Sequence, residues 1–97
     1  MKTTHINAFS ETLKQTLEEI GLEQKTVSQR TGIPESHLSA MKHGTRRITA
    51  EYDCRLSRFF GTTEGFWLRL QLASDIRHIR KEKGQVIEQE VIPLATA

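Results

Sequence analysis

Residues 32–34, Gly-Ile-Pro, separate one short helical pattern from the next, and this break limits the possible folds more than any other feature of the chain. Gly32 suits the left-handed backbone that closes a helix, and Pro34 suits the start of another. Upstream, Gln24–Thr31 has room for two turns, with Val27 facing inward beside small Ser28. Downstream, a second helix is expected over residues 34–43, with Gly44 closing it. Two helices this short bury too little surface to stand alone, so both must lean on their neighbours.

Those neighbours are visible in the spacing. Phe9, Leu13, Leu17 and Ile20 recur at four, four and three residues, which puts them on one face of a first helix. Asn7 can cap that helix, Gly21 ends it, and Leu22 can anchor the turn that follows. After the motif, Ile48 returns to the core and Thr49 caps a fourth helix, Ala50–Phe60, packed through Leu56, Phe59 and Phe60 with Arg55 and Arg58 outside. Gly61 closes it, and Thr62 or Thr63 is expected to cap a fifth helix reaching about Lys83.

The fifth helix carries two apolar stripes. Phe66, Leu70 and Ala73 form one, assigned to the domain's own core; Leu68, Leu72, Ile76 and Ile79 form another, assigned to a second chain, most simply a second copy. Trp67 is read as core or interface. The expected fold is therefore all-α, a five-helix domain over residues 7–83. Residues 1–6 are read as a flexible arm, and residues 84–97 as a tail, strand-like or disordered until bound. Period alone leaves a strand or a helical turn open there.

What the two short helices do is suggested by the third helix in chain order. Leu38 and Met41 fall on one side and must face the core. Glu35, Ser36, Ser39, Ala40, Lys42 and His43 occupy the opposite arc, with His37 at its boundary. Short polar side chains with Ala allow close approach to a DNA major groove, although such an arc also fits a plain surface helix. Flanking cations favour the groove. Residues 24–58 carry a net charge of +4, whereas residues 1–23 and 84–97 each carry −2. Thr45, Arg46 and Arg47 follow Gly44, and Gln24 and Lys25 start the second helix, so both ends of the reading helix are flanked by candidate phosphate contacts. The expected base-reading set is Glu35, Ser36, Ser39 and Ala40; the expected backbone-contacting set is Gln24, Lys25, His37, Lys42, His43, Thr45, Arg46 and Arg47.

GLEQKTVSQRTGIPESHLSAMKHGTRRIT followed by RLSRFFGTTEGFWLRLQLASDI resembles the antitoxin family named for HigA and VapI, within the phage-repressor-like helix-turn-helix class. The FFGTT and FWLRLQ elements point to that branch; the helix-turn-helix alone indicates only DNA binding. The resemblance implies a dimeric cytoplasmic protein that binds double-stranded operator DNA, represses its own operon and neutralises a small basic RelE-like ribonuclease toxin that cleaves messenger RNA. It also implies base-facing roles for Glu35, Ser36, Ser39 and Ala40, and backbone contacts by Gln24, Lys25, His43, Thr45 and Arg46. His43, Asp53, Cys54 and Arg69 depart from the pattern, where Asn, a small apolar residue, Leu and Asn are common. A neutral His43 is expected to donate one hydrogen bond to a phosphate. Glu35 would be repelled by phosphates unless it accepts from a cytosine amino group. Two alternatives stay open: a stand-alone phage-type regulator without a toxin, and a toxin-binding protein that has lost DNA recognition.

Other classes find little support. The four histidines are scattered, and no metal or cofactor site is expected. Cys54 is read as a small core residue, and no nucleophile–base or paired-carboxylate arrangement suggests an enzyme. No apolar run approaches the roughly 18 residues that cross a bilayer, and the N-terminus lacks a signal-peptide pattern, so a soluble cytoplasmic chain without membrane association is expected. Arg77, Arg80, Lys81 and Lys83 are read as a solvated helix end.

Overall fold

A computed structural model describes residues 7–95. The proposed arm, residues 1–6, lies outside them. Five helices follow in order: α1 (Ala8–Ile20), α2 (Gln24–Thr31), α3 (Glu35–Lys42), α4 (Ala50–Phe60) and α5 (Phe66–Glu90). The Asn7 side chain accepts from the Phe9 N–H at 2.9 Å, and Thr49 accepts from Tyr52 at 3.2 Å, so both expected caps form.

Ten apolar residues close the core: Phe9, Leu13 and Leu17 from α1, Val27 from α2, Leu38 and Met41 from α3, Leu56 from α4, Trp67 from α5, and Ile33 and Ile48 from the intervening turns. Ile33, inside the Gly-Ile-Pro break, is fully buried, so the turn itself is a packing element. Trp67 meets Phe9, Phe60 and Phe66 with ring centroids 5.0–6.2 Å apart, which joins the first and last helices through aromatic edges. Ile20 and Leu22, expected to pack, are instead largely exposed. Cys54, expected in the core, is exposed as well. Its place on α4 falls outside the inward arc occupied by Asp53, Leu56 and Ser57. Partial desolvation and then the nearby Glu64 carboxylate raise its thiol pKa, which keeps the thiolate scarce.

The fifth helix differs most from expectation. Its buried line is Trp67, Gln71 and Ser74 rather than Phe66, Leu70 and Ala73; Phe66 and Leu70 are half-buried at its margin and Ala73 is exposed. A count of apolar residues misplaces this face because two of its three inward side chains are polar and spend their polar atoms on other segments. Ser74 Oγ accepts from the Ala8 N–H at 2.8 Å, helping to fasten the start of α1. Gln71 accepts from the Ile48 N–H at 2.9 Å and donates to the Ile48 carbonyl at 3.4 Å, satisfying both main-chain groups of that residue.

The start of α5 is also fastened from afar. Neither Thr62 nor Thr63 caps it; buried Asp53 of α4 accepts from the N–H groups of Gly65, Trp67 and Leu68. A carboxylate suits a helix N-terminus because several donors and the helix dipole converge there.

Beyond Lys83 the helix continues through Gly84 to Glu90, so the strand-like or disordered tail of the sequence reading is helical over most of its described length. A mid-helix Gly costs about 1 kcal/mol relative to Ala, and the surrounding Glu, Lys and Gln residues propagate the helix past it. Val91 is extended, two residues before Pro93, and its N–H donates to the Ile87 carbonyl. Arg77, Arg80, Lys81 and Lys83 consequently lie along the middle of α5, and its last turn contains no basic residue.

Candidate nucleic-acid interface

The turn between α2 and α3 sets how the reading helix is presented. Gly32 closes α2 at φ 75°, and its N–H donates to the Ser28 carbonyl at 2.9 Å. A Cβ at this position would lie 2.6 Å from Arg55 Nη1, which donates to the Thr31 carbonyl at 3.0 Å. Glycine is needed here for its backbone angle; the guanidinium, at the end of a flexible side chain, would have to shift to admit a Cβ. Gln24 donates to the Glu35 carbonyl at 3.2 Å, tying the start of α2 to the start of α3.

On α3, Leu38 and Met41 are buried, as the wheel requires. Of the expected base-reading residues, Glu35 and Ser36 are exposed, and Ser39 and Ala40 are half-exposed. All four lie on the arc turned away from the core. The turn that follows folds back onto the carbonyls of α3, most heavily onto one of them. The Ala40 carbonyl accepts from the N–H groups of Thr45 and Arg46, at 2.9 and 3.2 Å, and from Thr45 Oγ1 at 3.2 Å. Arg46 is thereby held next to the helix with its side chain in solvent, while its main-chain N–H is already used. Lys25 is exposed and Lys42 half-buried beside this arc.

Three members of the expected backbone-contacting set stand differently. His37 is half-buried, and its Nδ1 lies 2.6 Å from the Tyr52 hydroxyl on α4; it braces α3 from behind. His43 Nδ1 lies 2.7 Å from the Ser39 carbonyl. A carbonyl only accepts, so Nδ1 carries the proton and Nε2 of the neutral ring is itself an acceptor. The expectation that neutral His43 donates to a phosphate is therefore corrected: in this geometry only the protonated ring has a second N–H to offer. Arg47 bonds to Asp75 of α5 at 2.5 Å, a contact that pushes the guanidinium pKa further up and keeps the side chain charged. Arg30, also basic and near the motif, lies 5.2 Å from the Phe59 ring centre, a cation–π packing role.

The four residues assigned to a protein interface divide. Leu68 is half-buried and packs against the core, whereas Leu72, Ile76 and Ile79 are 56%, 46% and 44% exposed. At 100° per residue the exposed stripe continues to Val86 and Ile87. Within it, Ile76, Ile79 and Ile87 line a shallow groove of about 460 Å³ beside Asp75 and Gly84.

Sequence reasoning missed Asp53, Gln71, Tyr52 and Asp75, the polar side chains that fix the positions of α3, α5 and the segment between α3 and α4. The available signal was the presence of Gln71 and Ser74 where an inward apolar stripe should have continued.

A helix-turn-helix family model matches residues 13–67, which include α2, α3 and α4. An addiction module antidote protein of a HigA family from Coxiella burnetii is 37% identical, with 96% of this chain and 99% of that one aligned at a TM-score of 0.81. The chain belongs to the HigA helix-turn-helix family. Virulence-associated protein I of Dichelobacter nodosus is 29% identical to this HigA-family chain over 80 residues, 82% of this chain and 72% of the relative. An Escherichia coli HTH-type transcriptional regulator, YbaQ, is 33% identical over 60 residues, 62% of this chain but only 53% of the relative's length. The HigA-family fold is also shared with Pseudomonas aeruginosa antitoxin HigA, solved with the higBA promoter, at 23% identity and a TM-score of 0.78, covering 95% of this chain and all of that one.

Among the described residues, no helix is long and apolar enough to cross a membrane. Nor do three or more His, Cys, Asp or Glu side chains among them gather in a way that could hold a metal ion.

Proposed function

We propose that this chain is the antitoxin of a two-protein toxin–antitoxin pair, acting in the cytoplasm. It binds operator DNA as a homodimer, represses its own operon and neutralises a small basic, RelE-like toxin that cleaves messenger RNA. Each protomer places α3 in a major groove, with Glu35, Ser36, Ser39 and Ala40 toward the bases and Lys25, Lys42 and Arg46 toward phosphates, whereas both donors of Thr45 are spent on the Ala40 carbonyl. The two half-sites are separated by about one helical turn or a multiple of it. The observation that carries the reading is the short-side-chain arc of α3, braced behind by Leu38, Met41 and His37 and flanked by exposed cations. The exposed stripe from Leu72 to Ile87 supports the dimer, because its partial exposure along several turns is costly to leave in water. Membership of the HigA family supports the antitoxin role.

Mobility shift with the chain's own upstream promoter, across a salt series, tests the DNA half. Ser36→Ala is expected to alter base preference by about 1–3 kcal/mol at one position, whereas Arg46→Ala weakens all sequences alike. Equal effects on matched and mismatched duplexes would end the assignment of Ser36 to base reading. Co-purification of a small basic ribonuclease encoded next to this chain tests the other half; no such reading frame would favour the stand-alone regulator. The similarity to an HTH-type transcriptional regulator supports keeping that second reading.

A further inference from the structure

The segment that follows α3 is tied to α5 at two successive residues. Ile48 is clamped through both main-chain groups by buried Gln71, and Arg47 beside it is bonded through Nη2 to Asp75 Oδ2, one turn further along α5. The first contact is buried and sets the register. The second is open to solvent, with 67% of the Arg47 side chain and 28% of the Asp75 side chain exposed. A carboxylate and a phosphate present similar oxygen pairs to a guanidinium, so the two compete for the same donors. Arg46 lies in the same turn with its side chain exposed and its main-chain N–H directed to Ala40.

We propose that Asp75 is a built-in competitor for the DNA backbone at Arg47, withholding one cation from the phosphates and thereby setting the affinity of the reading head. The proposal rests on the operator-binding reading above. An open ion pair of this kind is worth at most about fivefold in an equilibrium constant, so the carboxylate lowers the share of molecules in which Arg47 meets a phosphate without abolishing it, and the displaced Asp75 then repels the strand. Asp75 also borders the apolar groove of α5, beside Ile76 and Ile79. Whatever occupies that groove changes the surroundings of the carboxylate that holds Arg47.

The test is a double-mutant cycle on the full chain, with Asp75→Asn, Arg47→Ala and the pair together. Each is titrated with the operator and with an unrelated duplex between about 50 and 200 mM salt. Asp75→Asn is expected to raise affinity by up to about fivefold on both duplexes and to steepen the salt dependence by at most about one released counterion. In the Arg47→Ala background the same change leaves the slope where it was. Removing a negative charge without releasing Arg47 would instead give the same gain in both backgrounds and no change in slope, and that result overturns the proposal. Asp75→Ser repeats the measurement should the asparagine variant lose helicity. Because competition for phosphate is independent of sequence, loss of operator preference with the slope change intact refutes the operator reading alone. Absence of binding to either duplex refutes both.

Discussion

α3 and α5 solve different problems with different numbers of residues. α3 has eight, two of them buried, and presents most of its outer arc to solvent. α5 has 25, and divides its circumference among a polar buried line, a partly buried apolar margin and an exposed apolar stripe. In α3 the side chains proposed to meet DNA and the packing side chains are different residues. In α5 the buried face is also the fastening, because Gln71 and Ser74 hold other segments through hydrogen bonds. The proposed recognition surface is thus carried by the smaller element, and the segment that follows it is held by the larger one.

Four changes would break or sharpen that contrast. The largest effect is expected from Asp53→Ala, which removes the acceptor for three N–H groups at the start of α5 and leaves one buried and two partly buried donors unpaired. A loss of about 3 kcal/mol in urea unfolding is expected; a change below about 1 kcal/mol would mean that α5 keeps its position without this cap. Next, Ile76→Glu with Ile79→Glu places charge on the exposed stripe without touching the core. Sedimentation should then show monomer, with helicity retained and operator affinity reduced by at least about tenfold; a persistent dimer would move the interface elsewhere.

A smaller loss, about 1–2 kcal/mol of stability, is expected from Gln71→Ala, since two hydrogen bonds to Ile48 disappear. If α5 positions the turn after α3, this variant also weakens DNA binding while leaving the dimer intact. The smallest effect is a gain. Gly84 has an ordinary helical conformation, and a Cβ there would meet only Arg80 Cγ at 3.7 Å, so Gly84→Ala should stabilise the fold by about 0.5–1 kcal/mol. A simultaneous weakening of the dimer would place Gly84 inside the contact; an unchanged dimer would leave it at the rim.

The same contrast explains what could be read from the sequence. α1 through α4 were legible because their apolar spacing, caps and closing glycines are local signals, and the inward and outward arcs of α3 follow from Leu38 and Met41 alone. The backbone-contacting set was less legible. His37, His43 and Arg47 were assigned by position; the partners of His37 and Arg47 lie on α4 and α5, whose proximity no local spacing announces, whereas His43 turns back to the Ser39 carbonyl four residues earlier. Asp53 was noticed only as a departure from a small apolar residue, and its role emerges once the start of α5 is brought against α4. Gly84 misled in the opposite direction: a residue that often ends helices sits here in the middle of the longest one.

The bond from the Ala8 N–H to Ser74 Oγ bridges 66 positions of sequence. It ties the order of synthesis to the order of completion. Helix α1 emerges first, but its opening turn and the ring of Phe9 find their partners only when residues 67–74 have followed. A nascent chain stopped just after α4 would carry the whole outer arc of α3 and still lack the partners of α1 and of Ile48. The arc proposed to meet DNA is therefore supported late, as the first half of α5 arrives.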